Sequence, residues 1–125
     1  MNKRLISKDK TLERFRKLCL TLPETSETSS HGHPNFRAGN RTFAAFEWFG
    51  GRPSMAFKLG ADEVDQMLMQ GDSFFATPYG RGLWVSLWAD GRIPWKLVED
   101  LVERGFRHVA LKRLLTRLDE KRANA

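Results

Sequence analysis

The first apolar pattern along the chain has the period of an α-helix. Its apolar residues recur at i, i+3, i+6, i+7 and i+10, and they are Leu12, Phe15, Leu18, Cys19 and Leu22. Charged and polar side chains fill most positions between them, so the pattern predicts an amphipathic helix over residues 11–22. Pro23 follows directly and ends the helix, because a proline moves the preceding residue out of helical backbone.

Small polar residues and glycine pairs then indicate strands and turns. Residues 24–32 are small and polar, and we interpret them as a loop or a short edge strand. The pair Gly39-Asn40 suits a two-residue hairpin turn, and Gly50-Gly51 forms a second turn. The segment over residues 36–59 is therefore predicted to form a three-strand meander.

A helix and two strands are predicted next. Residues 61–70 have helical spacing, with two acidic residues near the positive N-terminus of the helix and Gly71 placed to end it. Residues 74–76 and 83–88 indicate two strands. The glycines and the proline of residues 77–82 favour a turn between those strands.

Two helices complete the pattern. Pro94 suits the first turn of a helix, and Gly105 is expected to end that helix. A last helix is predicted from apolar residues at i, i+3, i+4 and i+7, which are Leu111, Leu114, Leu115 and Leu118.

This order of elements, α-β-β-β-α-β-β-α-α, favours an α+β domain of two layers, in which an antiparallel sheet carries helices on one face. The glycine hairpins exclude parallel crossovers among the first three strands. With 125 residues, of which 41% are hydrophobic, the chain suits one core and is not a disordered sequence. We expect a single domain over residues 1–125, with loose termini at residues 1–10 and 119–125.

The lone cysteine and the short apolar runs indicate in which cellular compartment the protein is expected. Cys19 cannot form an internal disulfide, which favours a reducing environment. The longest apolar runs fall far short of the ~20 residues that span a bilayer. The N-terminal segment lacks the apolar core of a secretory signal. These observations predict a soluble, cytoplasmic protein without membrane contact.

The net charge of +6 is unevenly distributed along the chain. Residues 1–22 and residues 104–125 each carry seven basic and two acidic side chains, whereas residues 61–103 are acidic. If the terminal helices meet in the fold, they form one positive face that attracts a polyanion. The alternative is two separate solvated helix faces.

Several segments in order resemble the MmcQ/YjbR family of small bacterial proteins. They are RKLCLTLP at 16–23, SHGHPNFR at 30–37, FAA at 43–45, LWV at 83–85 and VALKRL at 109–114. The resemblance implies an α+β fold similar to that of type III secretion chaperones. Its members are commonly labelled DNA-binding, and the resemblance implies no enzyme activity and no cofactor. The hairpin at residues 38–41 departs from the family pattern, so no contact is transferred to Arg41.

The residues that could act in catalysis or bind a metal are too few, or too close together in the sequence, to form a catalytic or metal site. His31 and His33 form a metal-like pair, but a structural zinc ion needs four ligands, so His33 is expected to anchor its loop through the backbone instead. Cys19 occupies a core position, where a thiol is inert. The hydrolase-like set of Glu27, Ser29, Ser30 and His31 is crowded into one polar loop. We therefore predict no catalytic residues, no metal and no cofactor.

Strand alternation indicates which aromatic residues share a face. Trp84 and Trp88 lie on the face opposite Val85, and Phe46 and Trp48 share a face in the second strand. If helices cover only one side of the sheet, the other side is expected to display some of these four aromatic residues, with Lys58 among them.

Two functions from different classes follow. The first is a non-enzymatic, sequence-nonspecific DNA-binding module, whose candidate phosphate contacts are Arg37, Lys58, Arg81, Lys112 and Arg113. The second is a protein-interaction or chaperone-like module, or a homodimer, whose candidate partner contacts are Phe46, Trp48, Trp84 and Trp88. An enzyme is the least favoured class.

Overall fold

The chain folds in the order α-β-β-β-β-α-β-β-α-α in a computed structural model that describes the backbone of residues 3–125 and the side chains of residues 10–125. The strands are β1 (Thr25–Ser30), β2 (His33–Ala38), β3 (Arg41–Phe49), β4 (Arg52–Lys58), β5 (Phe74–Ala76) and β6 (Trp84–Trp88). The helices are α1 (Lys3–Leu20), α2 (Ala61–Leu68), α3 (Trp95–Val109) and α4 (Lys112–Ala123).

All six strands belong to one antiparallel sheet with the order β1-β2-β3-β4-β6-β5. The α+β class, the antiparallel sheet and both glycine hairpins are confirmed. The polar segment left open between a loop and an edge strand forms β1, which pairs with β2 along its whole length. The meander therefore has four strands where three were predicted, because an edge strand can pair through its backbone without an apolar face.

The helices cover one face of the sheet. The register places Phe36, Phe46, Met55 and Phe57 on that face, and all four are fully buried. Phe15 of α1 contacts three of these side chains, with ring centroids 5.6 Å from Phe36, 5.9 Å from Phe46 and 6.0 Å from Phe57. One continuous core therefore lies between the sheet and the helical layer.

Gly105 does not end α3, because the helix continues to Val109. The glycine lies where α3 approaches the sheet most closely. A Cβ at this position would come within 2.6 Å of the Phe43 carbonyl oxygen and 3.2 Å of the Lys58 carbonyl oxygen. The residue thus permits close packing between helix and strands, and the prediction that it terminates the helix is wrong.

The C-terminal residues expected to be loose continue α4 to Ala123. Asp119 accepts a hydrogen bond from Arg107 at 2.9 Å, and Arg122 forms an ion pair with Glu103, so α4 is attached to α3. Residues 1–10 were also expected to be loose, but the backbone of residues 3–10 belongs to α1. The first two residues and the side chains up to residue 9 lie outside the described part. Among the helices of residues 3–125, none has the length and apolar character needed to cross a bilayer.

Candidate functional site

The face of the sheet that carries no helix, here called the helix-free face, has small residues at its centre. The register places Ala45, Ser54 and Ala56 there, and each is buried. The loop between β5 and β6 reaches over this face, because the Tyr79 hydroxyl donates a hydrogen bond to Glu47 Oε1 at 2.7 Å. Side chains from neighbouring strands and from this loop therefore cover part of the face.

A hollow of about 570 Å³ opens on the helix-free face. Its walls combine polar side chains of β2 and β3 with aromatic rings, among them Asn35, Thr42, Glu47, Phe49, Tyr79 and Trp84. Gly80 adopts a φ of +84°, and a Cβ there would lie 2.2 Å from the Trp84 ring. Only glycine therefore lets the loop turn against Trp84 and bring the Tyr79 and Trp84 ring centroids to 5.8 Å.

Glu47 is the buried charged group of this hollow. The residue is 8% exposed. Among the described residues, no cation lies within ion-pair distance of its carboxylate. Burial and the hydrogen bond to Glu47 raise the pKa of Tyr79 well above its ordinary value. Tyr79 therefore remains a hydroxyl donor at neutral pH, and the carboxylate retains capacity to accept further hydrogen bonds.

Four cationic residues lie at the end of the sheet where β2 turns into β3 and where β4 ends, here called the basic end: Arg37, Arg41, Lys58 and Arg81. Arg37 and Lys58 belong to the helix-free face, whereas Arg41 pairs with core-facing Ala38 and lies at the helical edge of this end. Arg37 pairs with Thr42 and Lys58 pairs with Trp84, and both of those partners line the hollow. Burial and the nearby charge of Arg41 lower the pKa of Lys58, partly opposed by Glu63. Arg41 and Arg81 are exposed, and in the described part of the chain neither forms an ion pair.

The predicted DNA contacts divide between the two sides of the molecule. Arg37, Lys58 and Arg81 belong to the basic end, and the Nε atom of Arg37 is buried without a hydrogen-bond partner. Lys112 and Arg113 instead lie on α4, in the helical layer. The five residues therefore do not form one surface.

The segment that follows α1 meets α4, and several arginines are paired where it does. Glu24, directly after α1, accepts hydrogen bonds from Arg113 at 2.7 Å and from Arg117 at 3.1 Å. The hydrogen bond from Arg113 is the main reason that the pKa of Glu24 is lowered. On the same side, Arg107 is paired with Glu103 and Asp119, and Arg122 is paired with Glu103, so these two cations face two carboxylates.

The predicted partner contacts also divide. Phe46 is fully buried and faces the helices, and Trp48 lies on the same side, with its ring centroid 5.1 Å from that of Phe46. Of the four aromatic residues, Phe46 is therefore not displayed on the uncovered side, because its strand pairs it with Met55 in the core. Trp84 and Trp88 do lie on the helix-free face.

Trp88 belongs to an aromatic cluster at the other end of this face. Its ring stacks on Phe75 with centroids 4.2 Å apart, and Phe49 contacts both rings edge-on. The Arg52 guanidinium lies 4.0 Å above the Trp88 ring and is itself held by Asp90. This packing leaves Trp88 partly buried.

The remaining candidates occupy structural positions. His33 Nδ1 accepts a hydrogen bond from the Trp48 N–H at 3.3 Å, which confirms the expected backbone anchor. Cys19 is fully buried, and burial raises the pKa of its thiol well above the ordinary value. Glu27 binds Arg16 on the helical side, away from the Ser30–His31 contact, so these residues do not form a triad. Within the described residues, no three potential ligands are grouped around a metal-sized space.

Sequence reasoning missed Glu47 and Tyr79 as a pair because 32 positions separate them. One signal was present in the sequence: Glu47 is the acidic residue of the otherwise largely apolar strand β3. A carboxylate at such a position is costly to bury without a partner, so it marks a site to inspect.

Comparisons with known proteins agree with this architecture. A family model described as YjbR matches residues 20–108. A DUF419-domain protein of Deinococcus radiodurans aligns in structure with a TM-score of 0.70 at 19% identity, covering 81% of this chain and 79% of its own. A Pseudomonas syringae protein aligns with a TM-score of 0.63 at 14% identity, covering 76% of this chain and 95% of its own. Among curated proteins, none matches the sequence.

Proposed function

Since the chain belongs to the YjbR family and carries a basic end beside an aromatic-lined hollow, we propose that it binds single-stranded DNA on its helix-free face without catalysing a reaction. The observation that carries the proposal is the contrast in pairing between the two sides. Arg41 and Arg81 lack carboxylate partners among the described residues, whereas the arginines of α4 are held by Glu24 and Glu103.

A single strand suits this face better than a duplex. The rings of Tyr79 and Trp84 offer stacking surfaces beside the basic end, and base stacking on aromatic side chains contributes about 1–3 kcal/mol per base. A duplex keeps its base faces stacked inside the helix, so it cannot use these rings. Phosphate contacts from the cations would position the strand without reading its sequence.

The test compares two double variants that lose the same charge from opposite sides. R41Q/R81Q removes two exposed cations of the basic end, and K112Q/K121Q removes two exposed lysines of α4. Binding of a fluorescent single-stranded oligonucleotide is measured by anisotropy over a salt series that starts at about 50 mM. We expect R41Q/R81Q to weaken binding about tenfold or more at low salt, and to reduce the slope of log K against log salt by about 1.4, at ~0.7 per phosphate.

The α4 double variant provides the matched control, because its net charge falls by the same amount. We expect its affinity to stay within about threefold of the unmodified protein, since only the long-range field changes. Equal losses of affinity in both double variants would show that the protein binds DNA only through its net charge, which would contradict a site on the helix-free face. Absence of binding to any oligonucleotide at low salt would contradict the proposal.

A protein partner is the second candidate, and the cluster of Phe49, Phe75 and Trp88 favours it. Aromatic residues of this kind are enriched in protein interfaces. Apolar contacts are not screened by salt, so the same salt series separates the two functions. A complex or dimer that persists at high salt and is unaffected by R41Q/R81Q would favour the partner.

A further inference from the structure

We propose that the hollow holds a guanine base of the bound strand, with Glu47 accepting hydrogen bonds from the base N1–H and from its 2-amino group. The inference rests on the proposed function and deepens it, because it assigns a preferred base to one position of an otherwise nonspecific contact. It adds a recognition role for Glu47 that the phosphate contacts do not require.

The first support is the state of the Glu47 carboxylate. It is buried and lines the hollow, and the Tyr79 hydroxyl is its hydrogen-bond donor among the described residues. A carboxylate offers about four acceptor positions and is costly to desolvate when they are unused. A ligand that presents two adjacent donors would therefore meet a carboxylate that is already desolvated and held in place by Tyr79.

The second support is the pattern of charge around the hollow. The basic end borders it through Thr42 and Trp84, while the carboxylate lies among its walls. A fitting ligand is anionic at one end, rich in N–H donors at the other, and flat enough to lie against aromatic rings. A guanine nucleotide within a strand has these three properties, and about 570 Å³ lies within the range of small-ligand sites.

The hydrogen-bond donors that each base presents to a carboxylate then rank the four bases by expected affinity. Guanine presents N1–H and the 2-amino group side by side, which matches the two oxygens of a carboxylate. Adenine and cytosine each present one amino group next to a ring-nitrogen acceptor, and thymine places its single N–H between two carbonyls that repel the carboxylate. Accordingly guanine is preferred, adenine and cytosine are intermediate, and thymine is weakest.

His33 supplies a further donor suited to guanine. Its Nδ1 accepts the Trp48 N–H, so the neutral ring carries its proton on Nε2. His33 is among the residues that line the hollow. An imidazole N–H in the hollow complements the O6 carbonyl of guanine. None of the other three bases has a carbonyl oxygen next to two N–H donors.

The experiment uses nine-residue oligothymidylates that differ only at the central position, which is dT, dG, dI, dA or dC. Hypoxanthine, the base of dI, keeps N1–H and lacks the 2-amino group, so it isolates one hydrogen bond. By anisotropy, we expect the dG strand to bind the unmodified protein about tenfold more tightly than the dT strand, with dI between them. This comparison needs no variant and is independent of folding effects.

Two variants then assign the preference to Glu47. In E47Q, which replaces one acceptor oxygen by a donor amide, we expect the dG strand to bind within about twofold of the dT strand. D65N removes one exposed carboxylate of α2 and serves as the charge-matched control, in which the preference for dG persists. Thermal unfolding of each variant checks that the fold is retained.

The outcomes separate the two proposals. Equal binding of all five strands would overturn the guanine site and leave the proposed DNA-binding function standing. Absence of binding to every strand would overturn both. Guanosine monophosphate that binds as tightly as the dG strand, and loses that affinity in E47Q, would support the base site and assign it to the free nucleotide.

Discussion

Gly105 is the point at which α3 lies closest to the sheet. The atoms that a Cβ would meet there are backbone carbonyl oxygens of β3 and β4, not the ends of flexible side chains. Two strands and a helix would have to separate to admit even a methyl group. The close approach also lets Phe106, the next residue, contact Phe43 edge-on with ring centroids 5.8 Å apart.

We predict that G105A lowers the free energy of unfolding by about 1–3 kcal/mol, because overpacking outweighs the gain of about 1 kcal/mol in helix propensity. Urea denaturation followed by circular dichroism measures the change. G91A is the control, since a Cβ at Gly91 meets nothing within 4 Å and should change stability by less than about 0.5 kcal/mol. A G105A protein as stable as the unmodified one would contradict the packing account.

Single residues also show where sequence reasoning is limited. A glycine after a helical apolar run looks the same whether it ends a helix or admits a neighbouring strand. Gly71 lies just after α2 with a φ of +115°, whereas Gly105 is in the middle of α3. Likewise, alternation shows that Phe46 and Trp48 share a face but not which face the helices cover. Both distinctions depend on tertiary packing.

At the scale of elements, Glu63 connects α2 to α3. Its Oε1 accepts hydrogen bonds from the Gly60 N–H at 3.0 Å and from His108 at 2.6 Å, and Arg104 lies nearby at 3.6 Å. Burial alone would raise the pKa of Glu63, but the hydrogen bonds and neighbouring positive charge together lower it. The ionised carboxylate therefore stabilises the contact between the two helices.

A lowered pKa sets the direction of the pH dependence. The stabilisation by Glu63 is fully present above the carboxyl pKa of the unfolded chain, about 4.3, and is lost as the pH falls through the lower folded value. We predict that E63Q lowers the free energy of unfolding by about 0.5–1 kcal/mol at neutral pH, and that the difference from the unmodified protein disappears near pH 3. Urea denaturation at both pH values measures it.

D62N is the control for this prediction, because Asp62 carries the same charge in the same helical turn and is exposed. Its effect should be limited to the smaller interaction with the helix dipole. An E63Q effect that is equal at pH 7 and pH 3 would show that the side chain acts through its shape or its cap hydrogen bond and not through its charge.

Elements with a strong local signal were predictable, and the others were not. The two glycine hairpins and the helical apolar stripes depend on neighbouring residues, and the structure confirms them. Strand β1 lacks such a signal, since its sequence TSETSS has no apolar position. Its pairing with β2 is made by backbone groups, and its Glu27 is fixed by Arg16 of α1.

For the whole molecule, the net charge describes the surface poorly. The segment after α1 meets α4 through the ion pair between Glu24 and Arg113, which joins residues 89 positions apart. Counting charges along the chain cannot show such pairing. Part of the positive charge on the side that was expected to attract a polyanion is therefore paired with acidic residues, as Arg113 and Arg117 are with Glu24.

The candidate site could be predicted only in its parts. Sequence reasoning selected Arg37, Lys58 and Arg81 for their charge and Trp84 for its strand position. It could not show that the register of β2, β3, β4 and β6 brings Arg37, Lys58 and Trp84 to one end of the same face. The hollow itself depends on the loop between β5 and β6, whose position over the sheet has no local signal.

The four tryptophans allow the most direct test of where DNA binds. In a ¹⁵N-labelled sample, each indole N–H gives a separate NMR signal that can be followed during titration with a single-stranded oligonucleotide. Trp84 lines the hollow, whereas Trp95 packs against the core on the helical side. We predict that the Trp84 signal shifts to saturation while that of Trp95 stays in place. A shift of Trp95 with Trp84 unmoved would contradict binding on the helix-free face.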